Sequence, residues 1–188
     1  MKSEDLVRPL ATHFNWMANR IIPQLAVDGG IADLVVITKA GYLTEIEIKI
    51  SASDWRADLA KDKWRARGHY VNGVYTPAGS GEIVRPTVSR FFYAVPADLV
   101  ARAPENLPAG SGILAVHQRN RSWGYVEVVR PAVRTKARKL AQNEVNELLS
   151  CFYLRWWRQE FARWTEAIDE NVVETTDLAL ASPAEIDG

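Results

Sequence analysis

Three charged residues occupy alternate positions of one predicted β-strand. In the segment YLTEIEIKIS, residues 42–51, Glu45, Glu47 and Lys49 are separated by single isoleucines. Because successive side chains of a strand point to opposite faces, both carboxylates and the lysine lie on one face. Such a face is typical either of a solvated strand with a cross-charge pair or of a metal site.

Another carboxylate lies on the strand that precedes this one. The run IADLVVI, residues 31–37, has the length and composition of a strand, and TKAG turns the chain back. If the loop has an odd number of residues, for example three around Ala40, Asp33 lies directly opposite Glu47, with Cβ atoms about 5 Å apart. An even-numbered loop would place Asp33 on the other face. The residue pattern does not decide between the odd-numbered and the even-numbered loop.

The odd-numbered hairpin has a chemical consequence. Two carboxylates this close repel each other, and burying them is costly unless a cation lies between them. Mg²⁺ or Mn²⁺ suits oxygen ligands, neutralises a phosphate and lowers the pKa of an attacking water. A lysine on the same face adds positive charge where the transition state becomes negative. Asp33, Glu47 and Lys49 are therefore candidate catalytic residues for hydrolysis of a phosphodiester.

Helices and edge strands are predicted around this hairpin. Pro9 suits a first helical turn, and a helix is predicted onward from it because Leu10, Phe14, Met17 and Ile21 recur at helical spacing. IIPQLAV is predicted to be a strand that Pro23 confines to an edge or a strand start. After the hairpin, Ser51 is a predicted N-cap for a helix that ends at Gly68.

The rest of the chain adds three predicted strands and a helical segment. The strands are SRFFYAVP, ILAVH and WGYVEVV, and one or two helices follow from about residue 135 to residue 168. No linker or internal repeat divides these elements. We therefore predict one α/β domain over residues 1–168 and an acidic, flexible tail over residues 169–188.

Composition restricts the class of protein. A chain of 188 residues with 47% hydrophobic residues and seven Trp has the composition of one globular domain. It has one cysteine, no apolar run of about 18 residues and no signal-peptide core at its N-terminus, so we expect a cytoplasmic protein without a membrane span. All 23 Lys and Arg lie at or before Arg163, and seven of the 23 acids follow it, so the body is basic and compatible with an anionic partner.

The order of these motifs resembles a known superfamily. An Asp at the head of one strand, Glu-x-Lys on the next strand and a helix after it is similar to the pattern of the PD-(D/E)XK nucleases, here on Asp33, Glu47 and Lys49. The stretch ADLVVITKAGYLTEIEIKISASDWRADLAKDKW resembles the bacterial and phage branch that includes MmcB-like DNA repair proteins. The likeness returns at VSRFFYAVPADLV and LPAGSGILAV and covers about residues 5–160.

This resemblance implies a fold and an activity. The fold would be α/β with a restriction-endonuclease-like core, a mixed sheet of four or more strands flanked by helices, here followed by a long C-terminal helical segment. The activity would be metal-dependent DNA hydrolysis in DNA repair or in the processing of phage or mobile-element DNA. Mg²⁺ or Mn²⁺ would be held by Asp33, Glu47 and the backbone carbonyl of Ile48, and Lys49 would be the catalytic lysine.

Accessory residues follow from the same resemblance. Members often add an acid from the first helix, here Glu4 or Asp5, and a Gln or Lys from the helix after the motif, here Lys61 or Lys63. Many members carry Glu in the first strand, where this chain has Gln24. A second metal site in this chain would therefore lack that carboxylate ligand.

Several other charged residues have two interpretations each. For Glu45 we expect a solvated carboxylate, with an extra metal ligand as the alternative. Asp54 is explained as a helix cap, and Asp58 follows it by one helical turn. In the resembling branch, the pattern that contains Asp54 and Asp58 lies beside the site, which is the alternative for both. Candidate contacts to nucleic acid, each of which can equally be solvated surface, are His69, Arg119, Arg121, Arg134, Lys136 and Lys139.

A second function is open at this stage. Folds are reused with degenerate sites, so the alternative to the nuclease is a catalytically inactive module that binds nucleic acid or protein. The intact Asp33, Glu47 and Lys49 favour catalysis, whereas Gln24 and the modest net charge favour the module.

Overall fold

A six-stranded mixed sheet forms the centre of the fold. The computed structural model describes residues 2–28, 30–59, 69–71, 74–76, 85–120 and 123–180. The helices are α1 (Glu4–His13), α2 (Ala52–Leu59) and α3 (Gln142–Leu180), with a short 3-10 helix at Ala97–Arg102. The strands are β1 (Arg20–Val27), β2 (Gly30–Ile37), β3 (Leu43–Ile48), β4 (His69–Val71), β5 (Val74–Thr76), β6 (Val88–Pro96), β7 (Gly112–Asn120) and β8 (Trp123–Arg130).

The strands of the main sheet follow the order β1-β2-β3-β6-β7-β8. The pairs β1–β2, β2–β3 and β7–β8 are antiparallel, whereas β3–β6 and β6–β7 are parallel. Strands β4 and β5 form a separate antiparallel pair within the connection from α2 to β6. A mixed α/β sheet of more than four strands, flanked by helices and followed by a long C-terminal helix, confirms the predicted fold class.

The two faces of the sheet pack against different helices. On one face Leu6 and Leu10 of α1 join a hydrophobic core with side chains from β2, β3, β6 and β7: Leu34, Val36, Ile46, Ile48, Phe92, Ala94, Leu114 and Val116. On the opposite face the ring of Tyr93 lies 5.5 Å from that of Trp55, which is fully buried in α2. The odd-numbered residues of β3 therefore face α2.

The prediction for the first helix was wrong in its extent. Helix α1 ends at His13 and contains Pro9 in its interior instead of beginning there. The chain leaves the helix at Asn15, whose φ of 52° is left-handed, and Ile21 pairs with Val36 in the sheet. Apolar residues three and four apart occur here across a helix–strand boundary, which hydrophobic spacing alone does not detect. The prediction that Pro23 lies on an edge strand is confirmed, because β1 is the outermost strand.

Helix α2 begins as the sequence predicts. The backbone N–H of Asp54 donates a hydrogen bond of 3.1 Å to Oγ of Ser51, which satisfies one of the unpaired donors at the helix start. The described part of α2 ends at Leu59, and the predicted continuation to Gly68 lies outside the described residues.

The described part of the chain ends in the long helix α3. The chain divides into two compact units, Met1–Asn146 and Glu147–Gly188, and α3 runs from the first into the second. At the start of α3, Glu144 binds Arg138 and accepts a hydrogen bond from the N–H of Ala141, and these contacts lower the pKa of Glu144 to about 2. The domain boundary predicted at Ile168 stays a prediction, and the helix continues past it to Leu180. Within the described ranges, no helix has the length and hydropathy needed to cross a bilayer.

The turn between β2 and β3 determines which side chains meet on the two strands. The last strand pair is Ile37 with Leu43, so the loop has five residues, and the N–H of Thr38 donates to the carbonyl of Tyr42. Gly41 has a φ of 83°, and its carbonyl accepts a 2.9 Å hydrogen bond from the N–H of Leu140. The odd-numbered loop, one of the two hairpins left open by the sequence, is therefore the observed one.

Replacing Gly41 should destabilise this turn. A Cβ at this position would lie 2.6 Å from the carbonyl oxygen of Leu140, in a backbone conformation that L residues rarely adopt. We expect Gly41→Ala to lower the free energy of unfolding by more than about 1 kcal/mol. Urea denaturation measures this, with Lys39→Ala as the control: Lys39 is exposed in the same turn, and its truncation should change stability by no more than about 0.5 kcal/mol. Equal stability of the two variants would contradict this account of the turn.

Candidate active site

The observed register brings Asp33 and Glu47 together. Strands β2 and β3 pair Leu34 with Ile46 and Val35 with Glu45, and the same register continued by one residue places Asp33 opposite Glu47. The carboxylate of Asp33 also accepts a 2.8 Å hydrogen bond from the backbone N–H of Ile48. Asp33 thus lies at the end of β3 beside Glu47 and Ile48, the two residues with which it was predicted to hold a metal.

The row of side chains continues across the neighbouring strands. On β1, Gln24 lies between the pairs Pro23–Leu34 and Leu25–Ala32 and therefore opposite Asp33. Its φ of 48° is left-handed, and this position interrupts the ladder. On the other side of β3, Glu47 pairs with Tyr93 of β6. The position at which many resembling nucleases carry Glu is thus occupied by an exposed glutamine at the sheet edge.

The charged face of β3 is buried. Glu45, Glu47 and Lys49 are only 1%, 2% and 3% exposed, so the expectation of a solvated Glu45 was wrong. The physical reason is that α2 packs over this face and that the guanidinium of Arg85 forms a salt bridge with the Glu45 carboxylate. The ring of Phe91, which pairs with Glu45 in the sheet, lies 5.9 Å from the same guanidinium. Glu45 therefore has a structural ion-pair partner in the protein itself.

Lys49 lies between two carboxylates from different elements. Its Nζ is 3.1 Å from Oε2 of Glu47 on β3 and 3.1 Å from Oδ1 of Asp58 on α2. Burial by itself lowers the pKa of a lysine, but here the charges and hydrogen bonds of the two carboxylates outweigh it, and the pKa of Lys49 is raised. Lys49 is therefore a buried ammonium group at neutral pH.

Tyr93 fixes the second of these carboxylates. Its hydroxyl donates a 3.0 Å hydrogen bond to Oδ2 of Asp58, and both side chains are fully buried. Burial raises the pKa of Tyr93, and the nearby Asp58 carboxylate raises it further, so the phenol stays protonated and remains a donor. Hydrogen bonds join Glu47 to Lys49 and Tyr93 to Asp58, and an ion pair joins Lys49 to Asp58; we call these four residues the buried cluster.

Sequence reasoning missed two residues of this region. Tyr93 is 46 residues from Glu47 along the chain, and Arg85 is 40 residues from Glu45. The signal available for Tyr93 was its central place in a strongly predicted strand. Its neighbour in the sheet is set by the parallel crossover from β3 to β6, which the order of elements alone does not specify. Arg85 carries no comparable signal.

The other predicted acids have mixed outcomes. Asp54 is exposed in the first turn of α2, as expected of a capping residue, whereas Asp58 belongs to the buried cluster. Glu4 and Asp5 lie in the first turn of α1, whose Leu6 packs on the opposite face of the sheet. Lys61 and Lys63 lie outside the described residues.

The predicted nucleic-acid contacts fall into two groups. Arg134 and Lys139 approach the ring of Tyr42 to 4.1 and 5.1 Å, and Lys136 is exposed between them. The second group is at the end of β7, where Arg119 lies 5.9 Å from the ring of Tyr125. Arg121 and the side chain of His69 lie outside the described part of the chain.

The donor set at Asp33 and Glu47 is compatible with Mg²⁺ or Mn²⁺. Among the described residues, no three His, Cys, Asp or Glu side chains are grouped so as to hold a metal ion. Mg²⁺, however, is commonly held by one or two carboxylates, with water and substrate phosphates completing an octahedron. Two carboxylates at adjacent strand positions, with the carbonyl of Ile48 between Glu47 and Lys49, supply oxygen ligands of the required kind.

The chain shares its fold with a solved structure of unknown function. No protein-family model matches the chain, and no curated protein matches it either. Among solved structures, the chain is similar to a protein of unknown function from Silicibacter pomeroyi, with 23% sequence identity and a TM-score of 0.50. The similarity covers 86% of this chain and 90% of that chain. At this identity the likeness shows a shared fold and carries no activity with it.

The buried cluster makes a prediction about stability. Replacing Tyr93 by Phe removes the donor to Asp58 and leaves the shape of the ring, so we expect a loss of about 1–3 kcal/mol in the free energy of unfolding at neutral pH. Tyr125→Phe is the control, because Tyr125 is exposed on β8 and should change stability by less than about 0.5 kcal/mol. Urea denaturation of the two variants beside the wild type measures both effects.

The same variant should change the alkaline limb of the stability curve. In the unfolded chain a tyrosine ionises near pH 10, whereas the folded protein keeps the Tyr93 phenol protonated. The unfolded state thus binds fewer protons above about pH 10, and the free energy of unfolding falls as the pH rises. Tyr93→Phe lacks this contribution and should show a shallower fall than the wild type or Tyr125→Phe. Parallel curves for all three proteins would contradict the assignment of Tyr93 to the cluster.

Proposed function

We propose that the protein is a metal-dependent nuclease that hydrolyses phosphodiester bonds of DNA. The observation that carries this proposal is the register of the β2–β3 hairpin, which aligns Asp33 with Glu47, two residues before Lys49 on the same face. The resemblance of these residues to the PD-(D/E)XK pattern supports the same activity. A place in DNA repair or in phage or mobile-element DNA processing belongs to this proposal.

The site residues would have two roles, metal ligation and electrostatic stabilisation. Asp33, Glu47 and the backbone carbonyl of Ile48 would hold Mg²⁺ or Mn²⁺, which when bound neutralises a phosphate and lowers the pKa of water. Lys49 would place positive charge beside the phosphate. Burial strengthens the attraction between this charge and a phosphate, because the protein interior screens charges less than water does.

A segment with basic side chains supports DNA as the partner. Residues 131–140 are an irregular segment without acids that carries Arg134, Lys136 and Lys139, whereas its Arg138 is paired with Glu144. Backbone N–H groups of this segment donate to the carbonyls of Ser89, Pro86 and Gly41, which hold it against the sheet. The basic side chains of this anchored backbone are exposed to solvent, and contacts between such side chains and phosphates make binding weaken as salt rises.

The experiment is cleavage of a panel of duplex, single-stranded and branched DNAs with Mg²⁺ or Mn²⁺. We expect the wild type to cut at least one substrate and to lose the activity in EDTA. Lys49→Ala should lower the cleavage rate by about 10²-fold or more, since it removes a preorganised charge, with a smaller change in DNA binding. Asp33→Asn should also abolish cleavage, because the amide keeps the shape of the side chain but weakens metal ligation.

The controls identify contamination and misfolding. Lys39→Ala, an exposed lysine of the same hairpin, should retain wild-type cleavage, and far-UV circular dichroism should show every variant folded. Cleavage that is equal in the wild type, Lys49→Ala and Asp33→Asn would come from a contaminating nuclease and would overturn the proposal.

One observation favours a second function, a catalytically inactive module that binds nucleic acid. Glu47 and Lys49 are almost fully buried, so a phosphate reaches them only if neighbouring groups move. In the module, the buried cluster would stabilise the fold and the basic segment would bind DNA. Salt-sensitive DNA binding without cleavage of any substrate in the panel would favour this second function over the nuclease.

A further inference from the structure

Asp58 is the contact of Lys49 that sequence position does not explain. Lys49 follows directly after the end of β3 and lies two residues from Glu47, so their contact is local in sequence. Asp58 instead comes from α2, and its Oδ1 lies as close to the lysine Nζ as the Glu47 oxygen does, at 3.1 Å. The lysine therefore bridges β3 and α2, and its position depends on both.

Asp58 is itself held from a third element. Oδ1 of its carboxylate contacts Lys49, and Oδ2 accepts the 3.0 Å hydrogen bond from the hydroxyl of Tyr93 on β6. Tyr93 pairs with Glu47 in the parallel β3–β6 ladder, so the sheet holds the backbone of Tyr93 beside the backbone of Glu47. The contacts form a closed circuit from Glu47 through Lys49, Asp58 and Tyr93 back to β3.

We propose that Asp58 is a positioning residue for Lys49 and that Tyr93 positions Asp58. Glu47 has two possible partners, the lysine and a metal ion, because both are cations that bind its oxygens. A lysine held by Glu47 alone would lose its anchor when Glu47 ligates a metal, whereas Asp58 holds the ammonium in place in either case. The effect on cleavage rests on the proposed function, but the effect on Lys49 itself does not.

The direct test is nuclear magnetic resonance of the Lys49 ammonium group in the metal-free protein. A buried, hydrogen-bonded ammonium exchanges its protons with water slowly, so its ¹⁵N signal is observable and disappears in Lys49→Met, which assigns it. Asp58→Asn keeps the side-chain shape and removes the charge, and we expect proton exchange at Lys49 to accelerate about tenfold or more with the loss of its buried ion-pair partner on α2. Tyr93→Phe should cause a smaller acceleration and covers the case in which Asp58→Asn fails to fold.

Asp54→Asn is the matched control. Asp54 lies one turn before Asp58 on the same helix and is exposed, so the change in charge is the same and the contact with Lys49 is absent. The Lys49 signal and its exchange rate should be unchanged in this variant. If Asp58→Asn and Tyr93→Phe both leave the Lys49 signal as in the wild type, Asp58 does not position the lysine.

Cleavage kinetics then separate this inference from the proposed function. Where the wild type cuts DNA, Asp58→Asn should lower kcat by about tenfold or more with little change in KM, because a displaced Lys49 stabilises the transition state less. A changed Lys49 signal with unchanged kcat would overturn the catalytic part of the inference. No cleavage by the wild type would overturn the proposed function, and the Lys49 signal would still decide whether Asp58 holds the lysine.

Discussion

The register of the β2–β3 hairpin is the constraint on which the rest of the site depends. A slip of one residue would move every side chain of β3 to the opposite face, because side chains alternate with a period of two. Glu45, Glu47 and Lys49 would then lie in the hydrophobic core, and Ile46 and Ile48 would face α2. The left-handed conformation of Gly41 and its hydrogen bond from Leu140 fix the five-residue loop, so one turn sets both the core and the polar face.

Packing a polar face under a helix has an energetic consequence. Removing ions from water is costly, and their mutual attraction offsets the cost only with good geometry and further hydrogen bonds. In the buried cluster, contacts of about 3 Å join Lys49 to Glu47 and Asp58 and join Asp58 to Tyr93, and these contacts offset part of the cost. An apolar set of the same volume would be at least as stabilising in many proteins, and this favours a role for these residues beyond holding the fold. Such a role is what the nuclease proposal assigns to them.

The parts of the structure that could be predicted from sequence are those determined by local patterns. The hairpin, its two possible registers and the cap at Ser51 all follow from residues within about 20 positions of one another. The end of α1 could not be predicted, because Ile21 continues a helical spacing of apolar residues although it belongs to β1. The burial of Glu45 depends on Arg85, which lies 40 residues away and carries no motif. The position of Tyr93 likewise depends on which strands become neighbours, a property of the whole sheet.

The central claim is that Asp33 and Glu47 together bind a divalent cation, and Mn²⁺ in a crystal tests it most directly. Crystals grown without metal and soaked in Mn²⁺ would be measured at a wavelength at which manganese scatters anomalously. The account predicts an anomalous peak within ligand distance of the Asp33 and Glu47 carboxylates, about 2.0–2.3 Å from each, and no peak there in crystals of Asp33→Asn. A soaked wild-type crystal with Mn²⁺ bound elsewhere and no peak between these two carboxylates would contradict it.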